Sequence, residues 1–375
     1  MSDKMTPEIR FKGFSDDWEQ RKLGDILKVN SGRDYKHLHS GNIPVYGTGG
    51  YMLSVDDKLS QQDGIGIGRK GTIDRPQYLS APFWTVDTLF YLTPLNNHKL
   101  NFIQQITYII NWKKYSEQTG VPSLSKNSIE KIDINVPEIT EQTKIGELLR
   151  TLDTTIALHQ EKALTLRRAK KSFLQSLFPT AHKSVPQLRF TNFKDNWNQR
   201  ELGEIFTERS DRSSMGELIS VTINSGVIKS SELIRKDNSS SNKSNYKIVK
   251  KNDIAYNSMR MWQGASGYSV YDGILSPAYT VITPREGIDA ELFSFLFKRN
   301  DMIQIFQKNS QGLTSDTWNL KFPTLSKIKI NVPDNQEQLT IKKFLKHVDI
   351  MITLQQTKID KLQKIKKAYL QKMFI

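Results

Sequence analysis

The chain has 375 residues, and its 54 lysines and arginines against 39 aspartates and glutamates leave a formal net charge of +15. Such an excess indicates a polyanion as partner, and nucleic acid is the obvious candidate. Cysteine is absent, which excludes a disulfide scaffold, a thiolate zinc site, an iron–sulfur cluster and a cysteine nucleophile. The length predicts two or three domains.

The N-terminal segment, MSDKMTPEIRFKG, has no apolar region of the kind found in a secretion signal. The longest apolar runs are short and are interrupted by polar residues, so no membrane span is expected. We therefore expect a cytoplasmic protein with no membrane partner.

Two blocks of sequence occur twice in the chain. Residues 9–26 recur as residues 188–205, with 10 identities in 18 positions, and residues 134–178 recur as residues 330–374, with 19 identities in 45 positions. We call the first block the head and the second block the tail. Both heads contain a tryptophan, for which core packing is a better interpretation than base stacking, and these are Trp18 and Trp197. The chain is therefore a tandem duplication.

The segments between head and tail show little similarity. These bodies, residues 30–120 and residues 207–315, differ while the frames around them match. Divergent bodies on matched frames predict two versions of one recognition task. The alternative is a duplicated structural domain whose surface has drifted.

Three loops in each half of the chain carry side chains suited to DNA. Basic side chains can reach phosphates, and arginine, asparagine, glutamine and serine can read base edges. An ordinary surface turn is the alternative for each loop. The candidate DNA-binding residues are Arg33, Lys36, Arg69, Lys70, Ser123, Lys126, Arg209, Arg212, Asn257, Arg260 and Gln263.

No catalytic motif stands out. Gly66–Gly71 fits the G-x-G-x-x-G pattern of a dinucleotide site, but the β-branched and proline-broken run Thr72–Pro76 follows instead of a helix. The chain has no H-E-x-x-H pair, no G-x-S-x-G elbow and no Pro-Pro of an adenine methyltransferase. We therefore expect a binding protein with no catalytic residue, no cofactor site and no metal site.

The tails have the pattern of long helices. From Ile145 and from Ile341, apolar residues follow the alternating spacing of a heptad over about 33 residues, which predicts helices about 50 Å long. So narrow a stripe needs a partner helix. We expect the two copies to pack as an antiparallel coiled coil with a pseudo-twofold axis; dimerisation through the same stripes is the alternative. A second apolar edge, which includes Leu158 and Leu354, is suited to dock another protein.

Four polar residues interrupt the heptad stripes at matching positions of the two tails. Such residues usually specify the register of a coiled coil, and we expect no chemistry from them. They are His159, Lys170, Gln355 and Lys366.

Several segments resemble the specificity subunits of type I restriction-modification systems. They are the heads WEQRKLGDI and WNQRELGEI, the segments IPVYGTGG, GIGIGRKGTI and PFWTVDTLFYL, and the tails SLSKNSIEKIDINVPEITEQTKIGELLRTLDTTI and TLSKIKINVPDNQEQLTIKKFLKHVDIMI. The resemblance covers nearly the whole chain in the order of that family: recognition domain, helix, recognition domain, helix. It is specific because several motifs recur twice at the right intervals.

The resemblance implies an α+β fold in which two pseudo-twofold-related, mixed α/β target recognition domains are joined by two long antiparallel coiled-coil helices. The expected recognition domains are residues 1–137 and 180–333, and the expected spacer helices are residues 138–179 and 334–375. Each domain would read one half of a bipartite, asymmetric site in double-stranded DNA.

The resemblance also implies partners. The helices would dock two methyltransferase subunits, and a restriction subunit with endonuclease and translocase activity would join them. S-adenosylmethionine, ATP and Mg would then act in those partners and not in this chain. Two alternatives remain open: the specificity subunit of a restriction enzyme outside type I, and a non-catalytic protein-binding adaptor of a restriction system.

Overall fold

A computed structural model describes residues 5–118, 120–180, 183–233 and 242–375. The chain forms two compact units: unit 1 consists of Met1–Lys162 and Gln355–Ile375, and unit 2 consists of Ala163–Leu354. Among the residues so described, we find no helix with both the length and the apolar character that a bilayer crossing requires.

The first half of the chain consists of short strands and helices followed by one long helix. Its elements are β1 (Glu19–Lys22), α1 (Leu23–Ile26), β2 (Leu27–Ser31), β3 (Ser40–Gly47), β4 (Gly50–Val55), β5 (Gly64–Gly68), β6 (Gln77–Leu79), β7 (Trp84–Thr85), β8 (Leu89–Pro94), α2 (Leu100–Ile109), α3 (Lys126–Glu130), β9 (Asp133–Val136) and α4 (Ile139–Ser176).

The second half follows a similar order and also ends in a long helix. Its elements are β10 (Asn198–Glu201), α5 (Leu202–Ile205), β11 (Phe206–Glu208), β12 (Ile219–Thr222), β13 (Gly226–Lys229), β14 (Lys247–Val249), β15 (Ile254–Asn257), β16 (Ser266–Tyr268), β17 (Gly273–Leu275), β18 (Tyr279–Pro284), α6 (Ala290–Leu296), α7 (Asn300–Asn309), α8 (Phe322–Leu325), β19 (Lys329–Val332) and α9 (Asn335–Lys372).

Each unit contains a four-stranded sheet of the same topology. The strand order is β2-β8-β5-β6 in unit 1 and β11-β18-β15-β16 in unit 2. Strands β2 and β5 are both antiparallel to β8 and therefore run in the same direction, as β11 and β15 do beside β18. The loops that follow β5 and β15 therefore occupy the same place in the two sheets.

The remaining strands of the two bodies are arranged differently. Unit 1 has a three-stranded sheet of order β4-β3-β7, whereas unit 2 has two separate pairs, β12-β13 and β14-β17. The two bodies therefore contain equivalent four-stranded sheets and differ in their additional strands, which agrees with their divergence in sequence.

Each head pairs with the beginning of its tail through one two-stranded sheet. Strand β1 pairs antiparallel with β9, and β10 pairs antiparallel with β19 in the same register. Trp18 directly precedes β1 and Trp197 directly precedes β10, and each of these side chains is 3% exposed. The predicted core packing of both tryptophans is confirmed.

A buried ion pair fastens each head to a long helix. The guanidinium of Arg10 donates to both carboxylate oxygens of Glu141 at 2.7 and 2.8 Å, and that of Arg189 donates to Glu337 at 2.8 Å twice. These hydrogen bonds favour the charged guanidinium and raise the pKa of each arginine above its usual value. In unit 2, Trp197 Nε1 also donates to Glu337, at 3.0 Å.

In unit 1, the N-terminal part of α4 packs against the C-terminal part of α9. Lys366 Nζ donates to Asp153 Oδ1 at 2.6 Å, and His159 Nδ1 lies 2.6 Å from Gln355 Oε1. Residue numbers rise along α4 as they fall along α9, so the two helices are antiparallel here.

In unit 2, the other halves of the same helices pack together. Lys170 Nζ donates to Asp349 Oδ1 at 2.6 Å, and the rings of Phe173 and Phe344 meet edge to face with centroids 4.9 Å apart. The pairing is again antiparallel, which confirms the predicted arrangement of the tails. Each polar residue of the heptad stripes thus meets a polar partner on the other helix, as expected for residues that specify register.

Candidate nucleic-acid interface

Two parallel strands bring predicted residues of unit 1 to one edge of the four-stranded sheet. Arg33 follows the end of β2, and Arg69 and Lys70 follow the end of β5. The backbone N–H of Arg33 donates to Thr85 O at 2.9 Å, and that of Arg69 donates to Thr88 O at 2.8 Å. Because both acceptors lie in the short segment that leads into β8, the two arginines lie at the same edge.

The third predicted loop of unit 1 joins this edge. Lys70 and Ser123 form an antiparallel β-bridge, and Leu124 N donates to Arg69 O at 2.9 Å. Ser123 is buried, so it lies behind the exposed surface of the loop. Thr119, at the beginning of this loop, lies outside the described residues.

The exposed side chains of this edge are mainly basic. Four exposed basic side chains lie at this edge, and they are Arg33, Lys36, Arg69 and Lys70. Within the described residues, none of the four forms an ion pair. The edge also carries the exposed carboxylates Asp34 and Asp87. Lys126 differs, because its Nζ lies 3.6 Å from Glu130 Oε1 on the next turn of α3. The edge therefore has four basic groups available to an anionic ligand.

In unit 2, the predicted loops lie at the equivalent edge of the four-stranded sheet. Arg209 follows β11 and its backbone N–H donates to Val281 O at 2.9 Å, whereas the loop 257–264 follows β15. Leu320 N donates to Ser258 O at 2.8 Å and brings the loop 310–319 alongside. The structure therefore brings together, in each unit, loops that are far apart in the sequence.

Arg209 differs from the other predicted residues because its side chain forms an ion pair with a buried carboxylate. Its Nε and Nη2 donate to the buried carboxylate of Asp253 at 2.8 and 3.1 Å, and its Nη1 donates to Asp211 at 3.2 Å. These hydrogen bonds, with Asp253 first, raise the pKa of Arg209 above its usual value. Arg209 therefore fastens its loop to the sheet.

The other predicted side chains of unit 2 lie on or near the surface. Arg260 and Arg212 are exposed, and Asn257 and Gln263 are partly exposed. Arg260 Nη1 donates to Gln263 Oε1 at 3.3 Å, and Arg212 Nη1 donates to a backbone carbonyl at 2.7 Å. Asn257 uses its Oδ1 to accept the N–H of Met259 at 3.0 Å, which leaves its amide group free to donate.

Sequence reasoning missed the residues that hold this loop in place. Lys298 Nζ donates to the carbonyls of Ile223 and Gly264 at 2.8 and 2.6 Å, and burial lowers the pKa of Lys298 to about 8. The rings of Trp262 and Trp318 meet edge to face with centroids 5.2 Å apart and join two of the loops. A lone lysine in the turn between α6 and α7 has no sequence signal for such a role.

The glycine-rich segment of unit 1 has a structural explanation. Gly64–Gly68 forms strand β5, and the next regular element is strand β6 rather than the helix that a dinucleotide site requires. A Cβ on Gly68 would lie 2.0 Å from Thr72 O, so the turn after the strand requires glycine. In the described ranges, no three histidine, aspartate or glutamate side chains are grouped as metal ligands.

Each unit thus presents basic side chains, joined in unit 2 by the amides of Asn257 and Gln263, on loops at the equivalent edge of its own four-stranded sheet, as expected of a protein that binds nucleic acid. The sequence pattern of the type I restriction modification DNA specificity domain matches residues 15–168 and residues 194–364. Since these two matches cover most of the chain, the chain belongs to that family.

The chain is also similar to individual members of such systems. It is 24% identical over 279 residues to the type I restriction enzyme MjaVIII specificity subunit of Methanocaldococcus jannaschii, in an alignment that covers 68% of this chain and 64% of that protein. The chain therefore matches slightly less than two thirds of the length of this relative.

Two solved structures share the fold. The S subunit of the type I restriction-modification system of M. genitalium is 17% identical, with a TM-score of 0.68 and coverage of 99% of both chains. A chain from a study of complex assembly and conformational transition of the type I R-M system is 14% identical, with a TM-score of 0.50 and coverage of 95% of this chain and 97% of that one. With the helix pairing described above, they confirm the α+β fold with two long antiparallel helices.

Proposed function

We propose that this chain is the DNA specificity subunit of a type I restriction-modification complex. Each unit reads one half of a bipartite DNA site, and the site is asymmetric because the two bodies differ. One observation carries the proposal: the same sheet edge occurs in both units, with basic side chains on loops whose sequences differ.

We assign two kinds of role to the predicted residues. Exposed side chains without ion pairs contact the duplex, with arginine and lysine on phosphates or guanine edges and asparagine and glutamine on adenine edges. The proposed contact residues are Arg33, Lys36, Arg69, Lys70, Arg212, Asn257, Arg260 and Gln263. The buried Ser123, and Arg209 with its ion pair to Asp253, hold the same loops in position, whereas Lys126 pairs with Glu130 within α3.

The proposal places catalysis in partner subunits. Two methyltransferase subunits bind S-adenosylmethionine and methylate the site, and a restriction subunit uses ATP and Mg to cleave DNA. This chain itself has no catalytic residue and no cofactor, and it acts in the cytoplasm, where the DNA lies. The support is the family to which the chain belongs.

Methylation in cells tests the proposal. Cells that express this chain with its methyltransferase should show one methylated motif of two short parts separated by unspecified bases, and the parts should differ. Single-molecule sequencing of the genomic DNA measures this. A single continuous motif, or a palindrome, would contradict the proposal. A partner that carries nuclease and methyltransferase together would favour a restriction enzyme outside type I.

The proposed complex should also bind DNA in a salt-dependent manner. With six to ten phosphate contacts, affinity for duplex DNA should fall by about 10³ to 10⁵ between 50 and 200 mM salt. Fluorescence anisotropy with a labelled duplex and the assembled complex measures this slope. An affinity for DNA that did not change with salt concentration would favour the alternative of a protein-binding adaptor.

Exposed leucines on the helices mark the proposed docking sites of the methyltransferases. Leu158 in unit 1 is 62% exposed, and Leu354, at the matching position in unit 2, is 54% exposed. Leu158→Asp and Leu354→Asp should each remove one methyltransferase subunit, and the double variant should remove both, because a carboxylate opposes burial in an apolar interface. Light scattering of the purified complex gives the mass.

A nearby exposed residue supplies the control. Gln160→Asp introduces the same charge two residues after Leu158 on α4, on another side of the helix, and should leave the complex intact. If both leucine variants kept two methyltransferase subunits, the docking sites would lie elsewhere.

A further inference from the structure

The hairpin of β3 and β4 lies at the basic edge of unit 1. Strand β3 runs parallel to β7, with Val45 opposite Trp84 and Tyr46 opposite Thr85, and Val86 N donates to Tyr46 O at 3.0 Å. The turn after β3 therefore leaves the sheet on the same side as the segment that follows β7. That segment holds the backbone of Arg33 and Arg69, as described above.

The hairpin turn consists of Thr48 and Gly49, and neither packing nor backbone conformation explains the glycine at position 49. A Cβ built on Gly49 has no atom within 4 Å, and the φ angle of Gly49 is not positive. By contrast, Gly50 has a φ of +107°, and a Cβ on Gly47 would lie 2.8 Å from the sulfur of Met52. Conformation or packing therefore accounts for the neighbouring glycines but not for Gly49.

The residues after the turn present apolar surface to solvent. Tyr51 is 63% exposed and Met52 is 49% exposed. The ring of Tyr51 is held by an edge-to-face contact with Tyr46, with centroids 6.5 Å apart, and by a hydrogen bond of 3.2 Å between its hydroxyl and Ser54 Oγ. An exposed aromatic ring that is held in place beside basic groups can contact bases without a large loss of side-chain entropy.

We propose that the tip of this hairpin, Thr48–Met52, enters a groove of the DNA half-site that unit 1 reads. The absence of a side chain at Gly49 lets the backbone approach the DNA closely, while Tyr51 and Met52 contact base edges such as thymine methyl groups. The four exposed basic groups of the same edge supply the charge complementarity. The inference rests on the proposed function and names a further element that determines specificity.

The variant Gly49→Leu tests DNA binding without a change in the stability of the fold. Because a side chain here meets nothing within the chain, the variant should unfold at the same temperature as the wild type or slightly higher. Its affinity for a duplex that carries the methylated motif should fall by roughly 10- to 100-fold, the scale of one good base contact, when assembled with the methyltransferase. Tyr51→Ala should weaken binding to the same half-site. Asn42→Ala, at the opposite end of β3, should change neither quantity.

Two competition duplexes complete the test, one with the first half-motif scrambled and one with the second. The Gly49→Leu complex should lose discrimination at one half-motif only. Unchanged affinity and discrimination would overturn the inference, and so would loss of assembly with the methyltransferase, because the tip would then contact a protein. A wild-type complex that bound both scrambled duplexes as tightly as the intact motif would overturn the proposed function as well.

Discussion

Glu337→Gln should lower the free energy of unfolding of unit 2 by about 3 to 5 kcal/mol, the usual effect of removing one partner from a buried ion pair. The carboxylate accepts two hydrogen bonds from Arg189 and one from Trp197 Nε1, and it is almost completely buried. The neutral amide leaves the guanidinium charge uncompensated and opposes it with its own N–H donors. Hydrogen exchange followed by mass spectrometry on peptides of unit 2 measures the loss.

Three variants provide controls for this prediction. Glu141→Gln breaks the matching pair of unit 1 and should destabilise that unit somewhat less, because no tryptophan donates to Glu141. Glu204→Gln removes the exposed partner of Arg200 and should change stability by less than about 1 kcal/mol. The double variant Arg189→Met, Glu337→Leu should recover part of the loss, since no charge is then buried alone.

An effect of Glu337→Gln no larger than that of Glu204→Gln would contradict this account of the buried pair. The head and the tail would then be joined mainly by the strand pair β10–β19 and by the packing of Trp197.

The second large effect concerns DNA specificity. Exchanging residues 30–120 for the corresponding body of a family member with another motif should replace one half of the methylated motif and leave the other half unchanged. The exchanged segment contains the proposed DNA contacts of unit 1, whereas the loops that carry those of unit 2 are held by other residues of unit 2. Methylome sequencing of cells that express the hybrid measures both halves at once.

The reciprocal exchange is the matched control. Replacing residues 207–315 should change only the other half-motif. If either exchange altered both halves, recognition by the two bodies would not be independent, and the division of labour proposed for the two units would be wrong.

Much of the fold could be predicted because identity and periodicity are local properties of the sequence. The repeated blocks predicted both long helices and their antiparallel pairing, and the structure adds the ion pairs Lys366–Asp153 and Lys170–Asp349 to that pairing. The matched tryptophans of the heads were correctly expected in the core. None of this required knowledge of distant contacts.

The candidate interface was less accessible to sequence reasoning. The loops were recognised by their composition, but a basic residue looks the same in the sequence whether it faces a ligand or a buried carboxylate. Arg209 illustrates this, because its partner Asp253 lies 44 residues away. Likewise, the glycines of the hairpin look alike in the sequence, and only the close packing at Gly47 and the positive φ of Gly50 distinguish these two from Gly49.

By itself, the sequence determined the duplication, the long helices and the basic composition of this protein, since these depend on residue type and spacing. Only the tertiary structure decided that three distant loops of each unit meet at one sheet edge and which of their side chains are already paired. The physical reason is that strand order and hydrogen bonding join residues far apart in the chain, and their partners set the charge and exposure that a ligand encounters.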